Sequence, residues 1–278
     1  MTIEIKKIDY FDEHWYRLET ENGIIFIPSV TTKLGITNKP FLARWRGDIG
    51  NREADMRLFE AQMRGSRIHE CFEILCNGGT IVYNPSRYPT YTTEEIAALR
   101  QSHAILGIST YQDEYLDILK LTEFMKIVKP EILACEMTVY SLENNDAGTL
   151  DGLYRIKGGK YLVNGSKPLD IQEGVYVVDL KTGSMVDKNA YRQTAAYAAC
   201  VKEMGIADPI GTIILHTQSK NRGGIEGLGV HLRNIEQMNA DYLSYRIVSS
   251  LWDDENKESA PRNFQFPSMI SLVKGVKI

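Results

Sequence analysis

The segment Gly174-Val175-Tyr176-Val177-Val178-Asp179-Leu180-Lys181-Thr182-Gly183 ends an apolar run with a carboxylate and an ammonium two residues apart. Side chains alternate along a strand, so residues two apart share a face. Asp179 and Lys181 therefore leave one strand end side by side, next to a glycine turn. Such a pair can hold a cation and steady a developing charge, or it can be an ion pair at a surface strand end. Acid-x-Lys recurs in Glu4-Ile5-Lys6 and Glu255-Asn256-Lys257, once at the terminus and once in a charge run. Only the Asp179 copy closes a strand of the fully buried type.

Further polar groups lie on either side. Asp151 stands in Gly148-Thr149-Leu150-Asp151-Gly152, where glycines permit close backbone approach and an acid faces either a ligand or a turn. Glu136 falls in an otherwise apolar strand-like run, residues 132–140. His69 follows Gly65 by four residues on a helix-compatible segment, so the small glycine could clear space beside the imidazole. Glu73 shares that face with His69, a spacing compatible with metal. Gln193 and Tyr197, also four apart, would project an amide and a phenol from one face of the helix after the Asp179 strand. Carboxylate oxygens suit Mg²⁺ or Mn²⁺ better than Zn²⁺, and a neutral imidazole is more natural with Mn²⁺.

In chain order these groups read Gly-x-x-x-His, Glu, Gly-x-x-Asp-Gly, strand-Asp-x-Lys-Thr-Gly, Gln-x-x-x-Tyr. That order resembles the PD-(D/E)xK nuclease superfamily in its RecB-like exonuclease branch, the type of the phage recombination and mitochondrial genome-maintenance exonucleases. The resemblance runs from about Gly65 to Tyr197, and Pro28-Ser29-Val30-Thr31-Thr32 looks like the opening of such members. It implies a restriction-endonuclease-like core, a central mixed sheet flanked by helices with a metal site. His69, Asp151, Asp179 and the Leu180 carbonyl would be the ligands, with Mg²⁺ or Mn²⁺ as cofactor. Lys181 would be the catalytic lysine beside Asp151 and Asp179, with Glu136 as an upstream acid. Gln193, Tyr197, Thr182, Arg192 and Lys188 would meet the substrate. The implied activity is hydrolysis of phosphodiester bonds from single- or double-stranded DNA ends, in phage or bacterial recombination, repair or DNA processing. A single-strand annealing or recombination protein is the implied partner class.

Two departures stand out. Leu150 replaces the proline of the superfamily's name, and only Cys200 follows the Tyr197 motif, so no iron–sulfur cluster is expected. A catalytically idle DNA-end-binding subunit and a structure-specific endonuclease are the alternative readings on the same fold. An unrelated Mg²⁺-dependent nucleotide enzyme would need a phosphate cradle, and no P-loop is present.

The elements that must position these groups are legible in outline. Residues 14–20 and 24–30 read as a hairpin around Glu21-Asn22-Gly23, and 39–76 as a mostly helical region. Residues 83–91 read as a loop, then 93–106 and 110–128 as helices, the second bounded by Pro130. Strands are expected at 132–140, 149–156, 161–163 and 174–180. A helix over 187–204 follows, with Asp187 as N-cap and Gly205 as its stop. Strands at 209–217 and 227–232 and a helix over 236–252 close the chain. The class is α/β, with an N-terminal hairpin and helical module over 1–130 packed on a core over 131–278.

The 278 residues carry 32 basic and 36 acidic side chains, a net charge of −4, and 43% hydrophobic residues, as expected of a globular chain. A passive nucleic-acid coat carries basic excess, because phosphate contacts supply most non-specific affinity. Here phosphate contacts would come from local patches: Lys181, Lys188, Arg192, Lys220 and Arg222, with Arg44, Arg46, Arg64 and Arg67 on the helical region. Trp45 or Tyr191 could stack on unpaired bases. No apolar run approaches the roughly 20 residues of a membrane span, and the first twelve residues lack signal- or transit-peptide character. A cytoplasmic protein with no membrane partner is expected. Cys71, Cys76, Cys135 and Cys200 show no metal-knuckle spacing and read as buried free thiols.

Overall fold

A computed structural model describes residues 4–10, 13–37, 39–83, 109–110, 112–165, 167–220 and 222–261. The helix expected over 93–106 and nearly all of the 83–91 loop lie outside them.

Three antiparallel strands, β1 (Glu4–Tyr10), β2 (Glu13–Thr20) and β3 (Gly23–Pro28), form the N-terminal sheet in the order β1-β2-β3. The expected hairpin is β2–β3, with Thr20 opposite Gly23. β1 was not expected from the sequence. It pairs Ile5 with Leu18 in a stretch whose lysines and acids hide the alternation. Ser29 then caps the short helix α1 (Val30–Leu34), accepting from the Thr32 N–H at 2.9 Å.

The helical region divides at Gly50, whose φ of 83° is open to glycine, into α2 (Pro40–Ile49) and α3 (Asn51–Cys76). Ala54 and, toward the end, Ile68, Cys71 and Phe72 are buried, whereas the larger apolar residues Phe41, Met56, Phe59 and Met63 are exposed. Thus the first part of this arm projects an apolar surface that the hydrophobic spacing alone would assign to a core. β4 (Val82–Tyr83) and β5 (Ser109–Thr110) form a two-residue parallel ladder before α4 (Gln112–Val128).

The main sheet contains β6 (Glu131–Ser141), β7 (Asp146–Ile156), β10 (Gly174–Lys181), β11 (Pro209–His216) and β12 (Gly229–Arg233), in the order β12-β11-β10-β7-β6. A side hairpin, β8 (Gly159–Tyr161) and β9 (Leu169–Ile171), branches off between β7 and β10. β10 and β11 run parallel and the other pairs antiparallel. A parallel pair needs a crossover, here α5 (Lys188–Glu203), before α6 (Ile235–Glu255) closes the fold.

Alternation along β10 sends successive residues to opposite layers. Val178 and Leu180 join Ile68 and Phe72 of α3 and Leu121 and Phe124 of α4. Val177 joins Ala195 and Val201 of α5 and Tyr245 of α6. The arrangement is α/β, a central mixed sheet between helices with an N-terminal α/β module. Lys33 ties that module to the closing helix. Its fully buried ammonium donates to Asn144 O at 3.2 Å and Ser249 Oγ at 3.0 Å, and meets Asp253 Oδ1 at 3.0 Å. Among the described residues no helix is long and apolar enough to cross a membrane.

Candidate metal centre

The site forms where the end of β10 meets β7, β6 and the last part of α3. His69 Nδ1 lies 3.2 Å from Asp151 Oδ1 and 3.8 Å from Glu136 Oε1. One ligand atom from each of the three lies within 4.8 Å of the others, a half-buried group able to hold a divalent cation. Two hard carboxylates and one imidazole suit Mg²⁺ or Mn²⁺.

Register explains the meeting of the two acids. Cys135 pairs with Gly152 and Met137 with Leu150, so Glu136 and Asp151 face each other across the β6–β7 ladder. Glu136 interrupts that ladder with a φ of 46°, left-handed backbone that a non-glycine residue adopts only at a cost. Such strain persists where the surroundings impose it, commonly at functional sites. Asp151 is fixed from the other side, its Oδ2 accepting the Leu180 N–H at 2.5 Å. Leu180 thus joins the site through its N–H.

Asp179 and Lys181 share the face expected of them, with Lys181 Nζ 2.7 Å from Asp179 Oδ2. That ammonium also donates to Gln193 Oε1 at 3.2 Å, and Gln193 Nε2 donates to the Tyr197 hydroxyl at 3.1 Å. The one-turn spacing of Gln193 and Tyr197 on α5 therefore forms a relay that ends on the lysine. Tyr197 is buried, and its ring occupies the space above Gly148, where a Cβ would come within 2.2 Å of Cε1.

The electrostatics follow from crowding acids in a dry place. Burial pushes the Asp179 carboxyl up to about 6, with Lys181 pulling it down and Asp151 adding to the rise. Asp151 is held below the usual carboxylate range, because the His69 and Lys181 charges and the Leu180 N–H outweigh its desolvation. Burial works against a charged His69, yet Asp151, Glu136 and Asp179 raise it to about 10. Lys181 is raised too, its desolvation overcome by Asp179 and Asp151. The acids thus gather positive charge around themselves, the field that a divalent cation would satisfy.

The remaining expected residues divide. Thr182 sits against α3, its Oγ1 3.1 Å from where a Gly65 Cβ would stand, and its carbonyl accepts from Arg64 at 3.3 Å. Gly65 therefore makes room for Thr182, not for the imidazole as its spacing from His69 suggested. Glu73, on the same helical face as His69, is not in the metal-capable group. Arg192 bonds Ser244 Oγ and Asn189 Oδ1, and Lys188 is exposed at the start of α5. Arg64 and Arg67 pair with the buried Asp117 and Glu114, and Arg46 with Asp55, so each of these three arginines, expected to meet phosphate, has an acid beside it. Arg233 covers one face of the Tyr191 ring at 4.1 Å. The four cysteines are free thiols, Cys71 and Cys200 buried and Cys76 and Cys135 half-buried.

Two contributors had no signal in their spacing. Tyr16 of β2 reaches across to Thr149 Oγ1 at 3.1 Å, linking the N-terminal sheet to the strand that carries Asp151. Asp117 of α4 gathers Arg64, Lys120, Thr217 and Gln218, while the Thr217 N–H caps the Lys181 carbonyl at 3.0 Å. Neither the burial of Asp117 nor its reach to Thr217 and Gln218 can be read from the sequence around it.

In comparisons with known proteins, no family model matches the chain, and no curated protein matches it significantly.

Proposed function

We propose that the chain is a metal-dependent DNA exonuclease of the PD-(D/E)xK superfamily, RecB-like branch, built on a restriction-endonuclease-like core. One observation carries the reading: His69, Glu136 and Asp151, from three separate elements, converge beside an Asp179–Lys181 pair at one strand end. A phosphodiester needs charge neutralised on its non-bridging oxygens and a nucleophile held in line. Asp151, Glu136 and His69 would hold the cation, with Asp179 and the Leu180 carbonyl next to it. The cation supplies Lewis-acid charge neutralisation at the phosphoryl oxygen. Lys181 orients the attacking water or stabilises the charge that develops. Gln193, braced by Tyr197, fixes where the ammonium points, and small misplacements there are costly in rate. DNA ends, in recombination, repair or processing, are the substrate that the motif order favours.

The test is end-labelled linear DNA, single- and double-stranded, with Mg²⁺, Mn²⁺ or EDTA, beside closed circles. We expect linear DNA to be degraded with either metal and spared in EDTA. Asp179→Ala, checked for folding, should abolish cleavage while keeping much of the DNA binding. Circles digested as fast as linear ends would replace the exonuclease with an endonuclease. Wild-type rates in folded Asp179→Ala would remove the site assignment altogether.

A further inference from the structure

A cavity of about 310 Å³ opens beside the site, with Lys181 and Gln193 in its wall. It continues into a larger basin of about 650 Å³ between α2, the 183–187 turn and the start of α5. Lys39, Met185, Asp187 and Asn189 line both, so the two form one groove leading away from the lysine. The outer basin has a mixed chemistry. Phe41 and Met185 are 65% and 60% exposed, large apolar groups left facing solvent within it. Lys39, Lys188 and Arg192 stand around them, against Asp187 as the acid of the lining. Asp187 is already engaged, accepting the Ala190 N–H at 3.2 Å and pairing with Lys39 at 3.3 Å. Arg192 is held in place by Ser244 and Asn189, and Asn189 in turn grips Thr37 at 2.6 Å. A positive, ring-bearing groove on a chain of net charge −4 is a local feature against the overall balance.

We propose that this groove binds an unpaired nucleic-acid strand, with a base stacked on Phe41 beside Met185 and its phosphates met by Lys39, Lys188 and Arg192. The inference rests on the nuclease reading for what happens at Lys181, but the groove's own chemistry selects the occupant. Cations around an exposed aromatic ring match a strand whose charged backbone and apolar bases alternate. Within a duplex each base is stacked on its neighbours, so only the terminal pair could offer a face to the ring, whereas every base of an unpaired strand can. Continuity with the Lys181 wall gives the strand a direction, toward the carboxylates.

Binding is measured by fluorescence anisotropy in EDTA, so that no cleavage intervenes, with short deoxyoligonucleotides carrying either normal or abasic residues. Base stacking on one side chain is worth about fivefold or more in affinity. We expect Phe41→Ala to weaken binding of the normal strand by at least about that factor and of the abasic strand far less. Lys39→Ala with Lys188→Ala should weaken both strands alike and flatten the salt dependence. Equal loss on normal and abasic strands, no loss on either, or duplex preferred over single strand would each overturn the groove assignment. Phe41 is exposed, so its variant is not expected to misfold, and circular dichroism verifies that. The two readings fail separately. Phe41-dependent strand binding without metal-dependent hydrolysis would leave the groove and remove the nuclease; hydrolysis of duplex ends without single-strand binding would do the reverse.

Discussion

Gly148→Ala probes how tightly the relay to Lys181 is packed. The new Cβ would stand 2.2 Å from Tyr197 Cε1 and 2.7 Å from both Cζ and the hydroxyl oxygen. Carbon atoms in comfortable contact sit at about 3.5–4.0 Å, so the ring must retreat by more than about 1 Å. Its surroundings resist: Tyr197 lies in a cluster with Leu150, Leu153, Ala195 and Val201, all buried. Overpacking of this kind costs about 1–3 kcal/mol. Alanine also reduces the freedom of the unfolded chain, which offsets about 0.4–1 kcal/mol. Because the ring must move by more than about 1 Å, the upper half of the overpacking range applies, about 2–3 kcal/mol. That leaves a net loss of about 1–2.6 kcal/mol, or a fall in Tm of about 2–10 °C for a chain of this size. Urea denaturation and thermal melting read the loss directly. The second arm is a double-mutant cycle with Tyr197→Ala. Removing the ring vacates the space that the Cβ needs, so the two changes should be less than additive by about 1 kcal/mol or more. A neutral Gly148→Ala, or a cycle additive within about 0.5 kcal/mol, would refute the packing argument.

Acid stability should depend on Asp117. Burial opposes its charge, but hydrogen bonds from Lys120, Gln218 and Arg64 outweigh that and hold it below the usual carboxylate range. A depressed folded pKa gives stability that is present above the unfolded value of about 3.9 and lost as pH falls through the folded one. Asp117→Asn should therefore destabilise by about 2–4 kcal/mol at pH 7, with the gap to wild type narrowing below pH 4 in denaturant titrations; a gap independent of pH would contradict it. Lys33→Ala should cost about 2–4 kcal/mol through the vacated volume and the unpaired Asn144 carbonyl. Lys33→Met, which keeps the volume, should cost less, and matched melting curves for the two would argue that packing around the stem contributes little.

What the sequence determined by itself is the local frame. The apolar run of β10, the shared face of Asp179 and Lys181, the Asp187 cap and the one-turn step from Gln193 to Tyr197 all depend on neighbours within about four residues. They appear where periodicity and capping place them. The tertiary structure decided what faces what. Glu136 meets Asp151 only because the β6–β7 register sets Cys135 against Gly152, and its positive φ cannot be read from its residue type. Gly148 and Gly65 are small for partners far along the chain, the Tyr197 ring and Thr182, which no local pattern identifies. The exposed apolar face of the helical arm has the same origin: hydrophobic spacing records which residues share a face, while packing decides whether that face is covered. Pairings of this kind follow from strand register and layer contact, long-range consequences of the whole fold that short-range spacing does not encode.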